Sequence, residues 1–174
     1  SDWDGSDLSG WYVTEKFDGC RAYWDGANLW SRGGMNIRLP DDMRAALPNH
    51  ALDCELYDGI DGRSRCAVAA RWGRFTDSMR LVAFDAPEMS GDQRQRLAAC
   101  SVTSSARASV ASLWVAASTE DAIAKMREIQ ARGGEGATLA LLPADAFIAD
   151  AETCAGQMAA ALERAAGSGA ILTI

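Results

Sequence analysis

Val13-Thr14-Glu15-Lys16-Phe17-Asp18-Gly19-Cys20-Arg21-Ala22-Tyr23-Trp24-Asp25-Gly26-Ala27-Asn28-Leu29-Trp30-Ser31-Arg32 is the stretch on which the fold turns. β-Branched and aromatic residues cluster in three short runs: Val13 to Phe17, Cys20 to Trp24 and Leu29 to Arg32. Asp18-Gly19 and Asp25-Gly26-Ala27-Asn28 separate them. Asp-Gly pairs between such runs read as tight turns, so the stretch predicts hairpins of antiparallel strands.

The rest of the chain extends this pattern. Helices are expected at Asp41 to Leu47, Arg63 to Trp72 and Gln93 to Cys100. Strands are expected at Ala51 to Tyr57, Arg80 to Asp85, Leu113 to Ala116, Glu135 to Leu142 and Ile171 to Ile174. Ser118-Thr119-Glu120-Asp121 reads as a capping box, with Ile123, Met126 and Ile129 at helical spacing behind it. Gly133-Gly134 ends that helix, and Ala151 to Ala166 reads as a C-terminal one. Strands and helices do not alternate regularly, so the expected class is α+β, antiparallel β-sheets flanked by helices. No repeat or low-complexity linker divides residues 1–174, which read as a single domain.

Composition narrows the function. The chain has 174 residues, 48% hydrophobic and 24% charged, with net charge −7. No apolar run reaches the ~18 residues of a membrane span. Two of the 17 basic residues, Lys16 and Lys125, are lysines. The acid excess argues against an extended DNA-clamping surface, which needs dense positive charge, but leaves room for a local basic patch. Arg63, Arg65, Arg71 and Arg74 form such a cluster. It reads either as a solvated helix face paired with acids or as a contact to DNA phosphates. The five cysteines form no C-x-x-C pair and His50 is the single histidine, so a zinc site is not expected. Free thiols in a reducing, cytoplasmic setting are the plainer reading; Ser1 to Gly5 lacks the pattern of a signal peptide, and the periplasm stays open. Most of the six tryptophans read as packing residues, and one near a nick-facing surface could instead stack on a base. Asp2, Asp4, Asp7, Asp41, Asp42, Asp58 and Asp61 read as turn, cap and solubility residues, and His50 as a loop residue.

Glu15 to Arg21 has the form K-x-D-G-x-R. A lysine of lowered pKa can attack phosphorus, an Asp-Gly turn lets backbone approach a nucleotide, and an arginine can grip phosphate or ribose. The same string also fits a strand–turn–strand with surface charges. Further segments give it company. Together they resemble the nucleotidyltransferase (adenylation) domain of ATP-dependent DNA ligases, within the lysine-nucleotidyltransferase family that includes RNA ligases and capping enzymes. Glu15 to Arg21 looks like its first motif, Ser31-Arg32-Gly33-Gly34 like the next, and Leu52-Asp53-Cys54-Glu55-Leu56 like the D-G-E-L motif with Cys for Gly. Val82-Ala83-Phe84-Asp85 is similar to the base-stacking segment, and Glu135-Gly136 to the E-G motif.

The resemblance implies an adenylation-domain, ATP-grasp-like fold and an enzyme that forms a lysine–AMP intermediate and seals nicked double-stranded DNA. It implies ATP and Mg²⁺ as cofactors. Lys16 would become adenylated, with Asp18 and Arg21 beside it. Glu15, Arg21, Glu55 and Phe84 would bind the nucleotide, Arg32 the nick phosphate, and Asp53 and Glu135 the metal. Residues 137–174 hold no lysine where that family carries a lysine pair, and the expected reading is an adenylation domain without the oligonucleotide-binding domain. Three alternatives therefore stand beside ligation: a non-catalytic nucleotide- or nick-binding module, an RNA ligase, and a capping-type enzyme. A monomer is expected, alone or aided by a protein that supplies the DNA clamp, with no membrane partner.

Overall fold

Strand β5 (Leu52–Tyr57) organises the larger sheet of the computed structural model, which describes residues 5–59, 61–133, 138–142 and 172–173. Its side chains alternate as a pleated strand requires. Leu52, Cys54 and Leu56 are fully buried, whereas Asp53 and Glu55 lie on the opposite face. Around it run β2 (Cys20–Trp24), β3 (Leu29–Ser31), β4 (Asn36–Ile37), β6 (Arg80–Asp85) and β7 (Ala108–Val110), in the order β4-β3-β2-β5-β6-β7. Contacts within the chain group into two compact units, and this six-stranded sheet belongs to the unit spanning 17–111.

Its apolar face is sealed by α1 (Asp41–Arg44), α2 (Arg63–Trp72) and α3 (Gln93–Ala98). Met43 on α1, Cys66 and Ala69 on α2, and Cys100 just past α3 pack with Trp24, Leu29, Leu52, Leu56 and Leu81 into one core. Burying a side chain of leucine size contributes roughly 1.5–3 kcal/mol. α2 ends at Gly73, whose left-handed φ of 67° closes the last turn onto the Ala69 carbonyl. α3 opens with a capping box: the Asp92 carboxylate accepts from the Gln95 N–H, and the Gln95 side chain accepts from the Asp92 N–H.

The second unit comprises 1–16 and 112–174. It holds β1 (Tyr12–Lys16), β8 (Leu113–Val115), α4 (Thr119–Gly133), β9 (Thr138–Leu142) and β10 (Leu172–Thr173), with strand order β10-β9-β1-β8. Leu8, Val13, Ala116, Ala122 and Ile129 form its core. Ser118 caps α4 by accepting from the Asp121 N–H, while the Asp121 carboxylate accepts from the Ala117 N–H.

The α+β expectation holds, with mixed pairing as a refinement. β1–β8, β1–β9, β2–β3, β2–β5, β3–β4 and β5–β6 are antiparallel. β6–β7 and β9–β10 are parallel. The expected helix at Asp41 to Leu47 stops at Arg44, because a single buried residue, Met43, anchors it. β4 and β7, two and three residues long, were too short for periodicity to reveal. The expected C-terminal helix at 151–166 lies outside the described residues, as does Glu135.

Candidate nucleotide site

The polar face of the larger sheet gathers the motif residues of β2, β5 and β6. Gly19 sits in the turn before β2, buried against β5. A Cβ there would overlap the Leu56 carbonyl oxygen, so the K-x-D-G turn needs glycine for space, not for an unusual φ. The close approach lets the Gly19 N–H donate to Glu55 Oε1 at 3.0 Å. Burial pushes the Glu55 carboxyl up to about 7, against the pull of the Gly19 N–H and of Arg21. The expected turn glycine and the expected ribose carboxylate are thus bonded to each other.

Arg21 pairs opposite Glu55 across β2 and β5. Its Nε donates to Asp53 Oδ1 at 3.0 Å, and its Nη2 donates to Asp53 Oδ2. This is the fork-on-carboxylate geometry that fixes an arginine in one pose. Burial works to lower the Arg21 pKa, but the bond and charge of Asp53 outweigh it and the net shift is upward. Burial also raises the Asp53 pKa, opposed by Arg21. Both Asp53 oxygens are engaged by the guanidinium. Among the described residues no group of three or more His, Cys, Asp or Glu is arranged to hold a metal ion. The described residues therefore do not by themselves fit the Mg²⁺ site that the resemblance implied through Asp53.

Phe84 reaches the same face by ordinary alternation, two residues after Val82, while Leu81 and Ala83 enter the core. Asp53 pairs with Asp85 and Cys54 with Ala83, so the β5–β6 register slips by one just after it. Such a bulge sets Asp85, rather than Phe84, opposite Asp53. The Phe84 ring packs with Tyr57, Val82, Ala111 and Phe17, and the Arg21 guanidinium lies 5.3 Å from its centroid. A base stacked on Phe84 would share the ring with that guanidinium. The segment is braced from α3: Arg96 donates to both Asp85 oxygens, at 2.8 and 3.2 Å, and the Gln93 side chain donates to the Phe84 carbonyl at 2.8 Å.

The remaining expected residues are placed as follows. Asp18 is exposed, 3.8 Å from Arg63 of α2. Arg32 is exposed in the turn between β3 and β4. Glu15 and Lys16 close β1 in the other unit, Lys16 paired in register with Thr138. Lys125 of α4 donates to Glu128 at 2.6 Å and lies 4.4 Å from the Trp114 ring centroid.

One expectation needs correction. Asp58 is no surface turn residue: it is 5% exposed, accepting from Arg65 Nε at 2.5 Å and Ser78 Oγ at 2.5 Å, with Thr76 Oγ1 at 3.4 Å. Burial acts to raise its pKa, but these donors win and lower it. The knot ties the end of β5 to α2 and to the loop before β6. Its signal was faint: Asp58 follows the apolar Leu56-Tyr57, and its donors are 7 to 20 residues away. Trp72, at 66% exposure, is a tryptophan that does not pack.

No protein-family model matches the chain. A DNA ligase from Haemophilus influenzae is 30% identical over 93 residues, which is 52% of this chain and 35% of that protein. A solved structure from a structure–function study of Lig E DNA ligases, described there as binding DNA with a minimal scaffold, superposes with a TM-score of 0.64. It is 27% identical and the match covers 82% of this chain and 59% of that one. The chain is similar to DNA ligases in sequence and in fold. It spans only part of the length of both relatives. Among the described residues of the ligase-like chain, no helix is long and apolar enough to cross a membrane.

Proposed function

We propose that the ligase-like chain carries out ATP-dependent nucleotidyl transfer for the sealing of nicked DNA. The supporting observation is the Gly19–Glu55 bond set beside the Asp53-held Arg21 and the Phe84 ring. Such an arrangement offers a ribose-accepting carboxylate, a fixed cation and an aromatic ring on one sheet face. Lys16 precedes that turn in the chain.

In this reading the Lys16 Nζ attacks the α-phosphorus of ATP. A P–N bond forms, the bond to pyrophosphate breaks, and the amine gives up a proton to solvent. A 5′-phosphate oxygen at the nick, approached by Arg32, then attacks the same phosphorus. The P–N bond breaks, the lysine recovers a proton, and a 5′–5′ pyrophosphate linkage results. The neighbouring 3′-OH attacks the 5′-phosphorus: a phosphodiester P–O bond forms, the P–O bond to AMP breaks, AMP leaves, and the hydroxyl proton passes to solvent. Glu55 would accept from ribose hydroxyls, Phe84 would stack on the base, and Arg21 would stabilise charge nearby. Asp18 would orient the turn that carries the lysine, and Glu15 would line the nucleotide edge. A divalent cation, expected as Mg²⁺, would arrive with the triphosphate, and Glu135 is the carboxylate proposed to meet it.

Incubation with α-labelled ATP and Mg²⁺ tests the first step. The wild type should acquire a covalent AMP increment by mass, and Lys16→Ala should not. Equal labelling of both would refute the assignment. GTP in place of ATP separates capping-type chemistry, and nicked RNA in place of nicked DNA separates RNA joining. The lysine-free stretch 137–174 favours one competing reading, a module that binds nucleotide or nicks without covalent capture. That reading predicts binding with no increment.

A further inference from the structure

Helix α2 is the most basic segment of an acidic chain. Residues 62–75 contain Arg63, Arg65, Arg71 and Arg74 and no Asp or Glu. Cys66 and Ala69 turn one face of the helix into the core, which fixes what points outward. The outward side carries two apolar residues one turn apart, Val68 at 44% and Trp72 at 66% exposure. The arginines divide by role. Arg65 is committed to Asp58, and Arg63 stands near Asp18 of the K-x-D-G turn. Arg71 lies 5.2 Å from the Trp72 ring centroid. Arg71 and Arg74 make no ion pair among the described residues, although the chain has seven more acids than bases.

We propose that the outer face of α2, with Trp72 flanked by Arg71 and Arg74, is a contact surface for duplex DNA. The inference rests on the ligation reading above and names where that substrate is gripped. Arg71 complements the helix C-terminal dipole, but that explains neither Arg74 beyond the Gly73 cap nor a tryptophan left in water. A partner that covers the ring must also neutralise the two cations without supplying further positive charge, so it is anionic. From Arg63 to Trp72 the helix axis advances about 14 Å, the rise of about four phosphates of one DNA strand at ~3.4 Å each. Arginine forks suit phosphate oxygens, and an indole offers an apolar face to sugar and base edges. The face starts at Arg63 beside the Asp18–Gly19 turn, so it is continuous with the candidate nucleotide site.

The test titrates labelled nicked duplex with the full chain and follows anisotropy across a salt series. Arg71→Ala/Arg74→Ala should weaken binding roughly 10- to 100-fold at low salt and flatten the salt slope by about 2, two phosphate contacts being lost. Trp72→Ala should weaken it roughly 10-fold with little change in slope, and Trp72→Phe should restore most of the loss. Arg127→Ala, on α4, should match the wild type. Circular dichroism of each variant guards against misfolding, which the exposure of all three side chains makes an unneeded explanation. Unchanged affinity and slope in the α2 variants would overturn the proposal, as would a wild type that binds no duplex. Equal competition by poly-glutamate would overturn it in favour of an acidic protein partner. Measuring the Lys16–AMP increment in the same samples keeps the readings apart. An increment with α2-independent DNA binding sinks this face alone. α2-dependent binding with no increment sinks the proposed chemistry alone.

Discussion

Replacing Glu55 with glutamine should make the protein more stable and less functional, in proportion to pH. Burial lifts the Glu55 carboxyl from its ordinary value of 4.5 to about 7. An acid with a higher pKa in the folded chain than in the unfolded one holds its proton more tightly when folded. Between those two values the folded state binds more protons, so stability falls as pH rises. The loss begins near pH 4.5, accumulates to pH 7 and is constant above it. At 1.36 kcal/mol per pKa unit the shift corresponds to about 3 kcal/mol. Glu55→Gln keeps an oxygen to accept the Gly19 N–H, keeps the volume, and removes the charge. Urea unfolding of wild type and variant, followed by circular dichroism at pH 4.5, 6 and 8, isolates the effect, because other titrations cancel in the difference. The two should be nearly equal at pH 4.5, and the variant should lead by about 2–3 kcal/mol at pH 8. A difference that does not grow with pH would refute the argument that Glu55 is a buried charge held at a stability cost. Covalent AMP formation by the variant should meanwhile drop, because a glutamine accepts more weakly from a ribose hydroxyl than a carboxylate does.

Other expectations follow from the same contacts. Gly19→Ala places a methyl group on the Leu56 carbonyl oxygen, and should lower the thermal midpoint by several degrees and abolish the AMP increment together; an unperturbed melt would count against the close approach. Asp53→Asn strands the Arg21 guanidinium with a neutral partner and should cost on the order of 3 kcal/mol, read as a shift in urea midpoint without a change in slope. Asp58→Ala leaves Ser78 and Arg65 without their shared acceptor, and a loss of about 2–4 kcal/mol is expected in the same assay, with DNA affinity falling as α2 loosens. Asp92→Ala, which removes the α3 cap and touches none of the candidate site directly, should cost only about 1 kcal/mol and leave AMP formation intact.

Local pattern carried the strands that place the site. Cys20–Trp24, Arg63–Trp72 and Arg80–Asp85 were legible to the residue, because Asp-Gly turns, Gly73 and Ala86-Pro87 punctuate them. The ligase-like character was legible from ordered short motifs, none decisive alone. What escaped was non-local. Nothing near Phe84 announces a slipped register, since the slip belongs to the pairing of two strands rather than to either one. Nothing near Asp53 announces that Arg21 engages both its oxygens, 32 residues away. Asp58 was misread because its burial depends on donors from α2 and from the approach to β6. Which tryptophan would stay in water was not legible, because Cys66 and Ala69 set the phase of the helix that carries Trp72. The two compact units were hidden because the chain passes from one to the other at Lys16–Phe17 and Ala111–Ser112, where no linker composition marks the crossing.

Those two crossings have a genetic consequence. Residues 17–111 form one uninterrupted stretch, and its two ends, Phe17 and Ala111, pack on the same small apolar cluster with Tyr57 and Val82. A segment whose ends lie together can be excised or transplanted with little entropic penalty for closing the gap. The cassette so defined would carry Arg21, Glu55 and Phe84 but not Lys16. Under the proposed function, recognition of a nucleotide and its covalent capture would be written on separable stretches of the gene. Either could be lost, borrowed or swapped during descent while the other was retained.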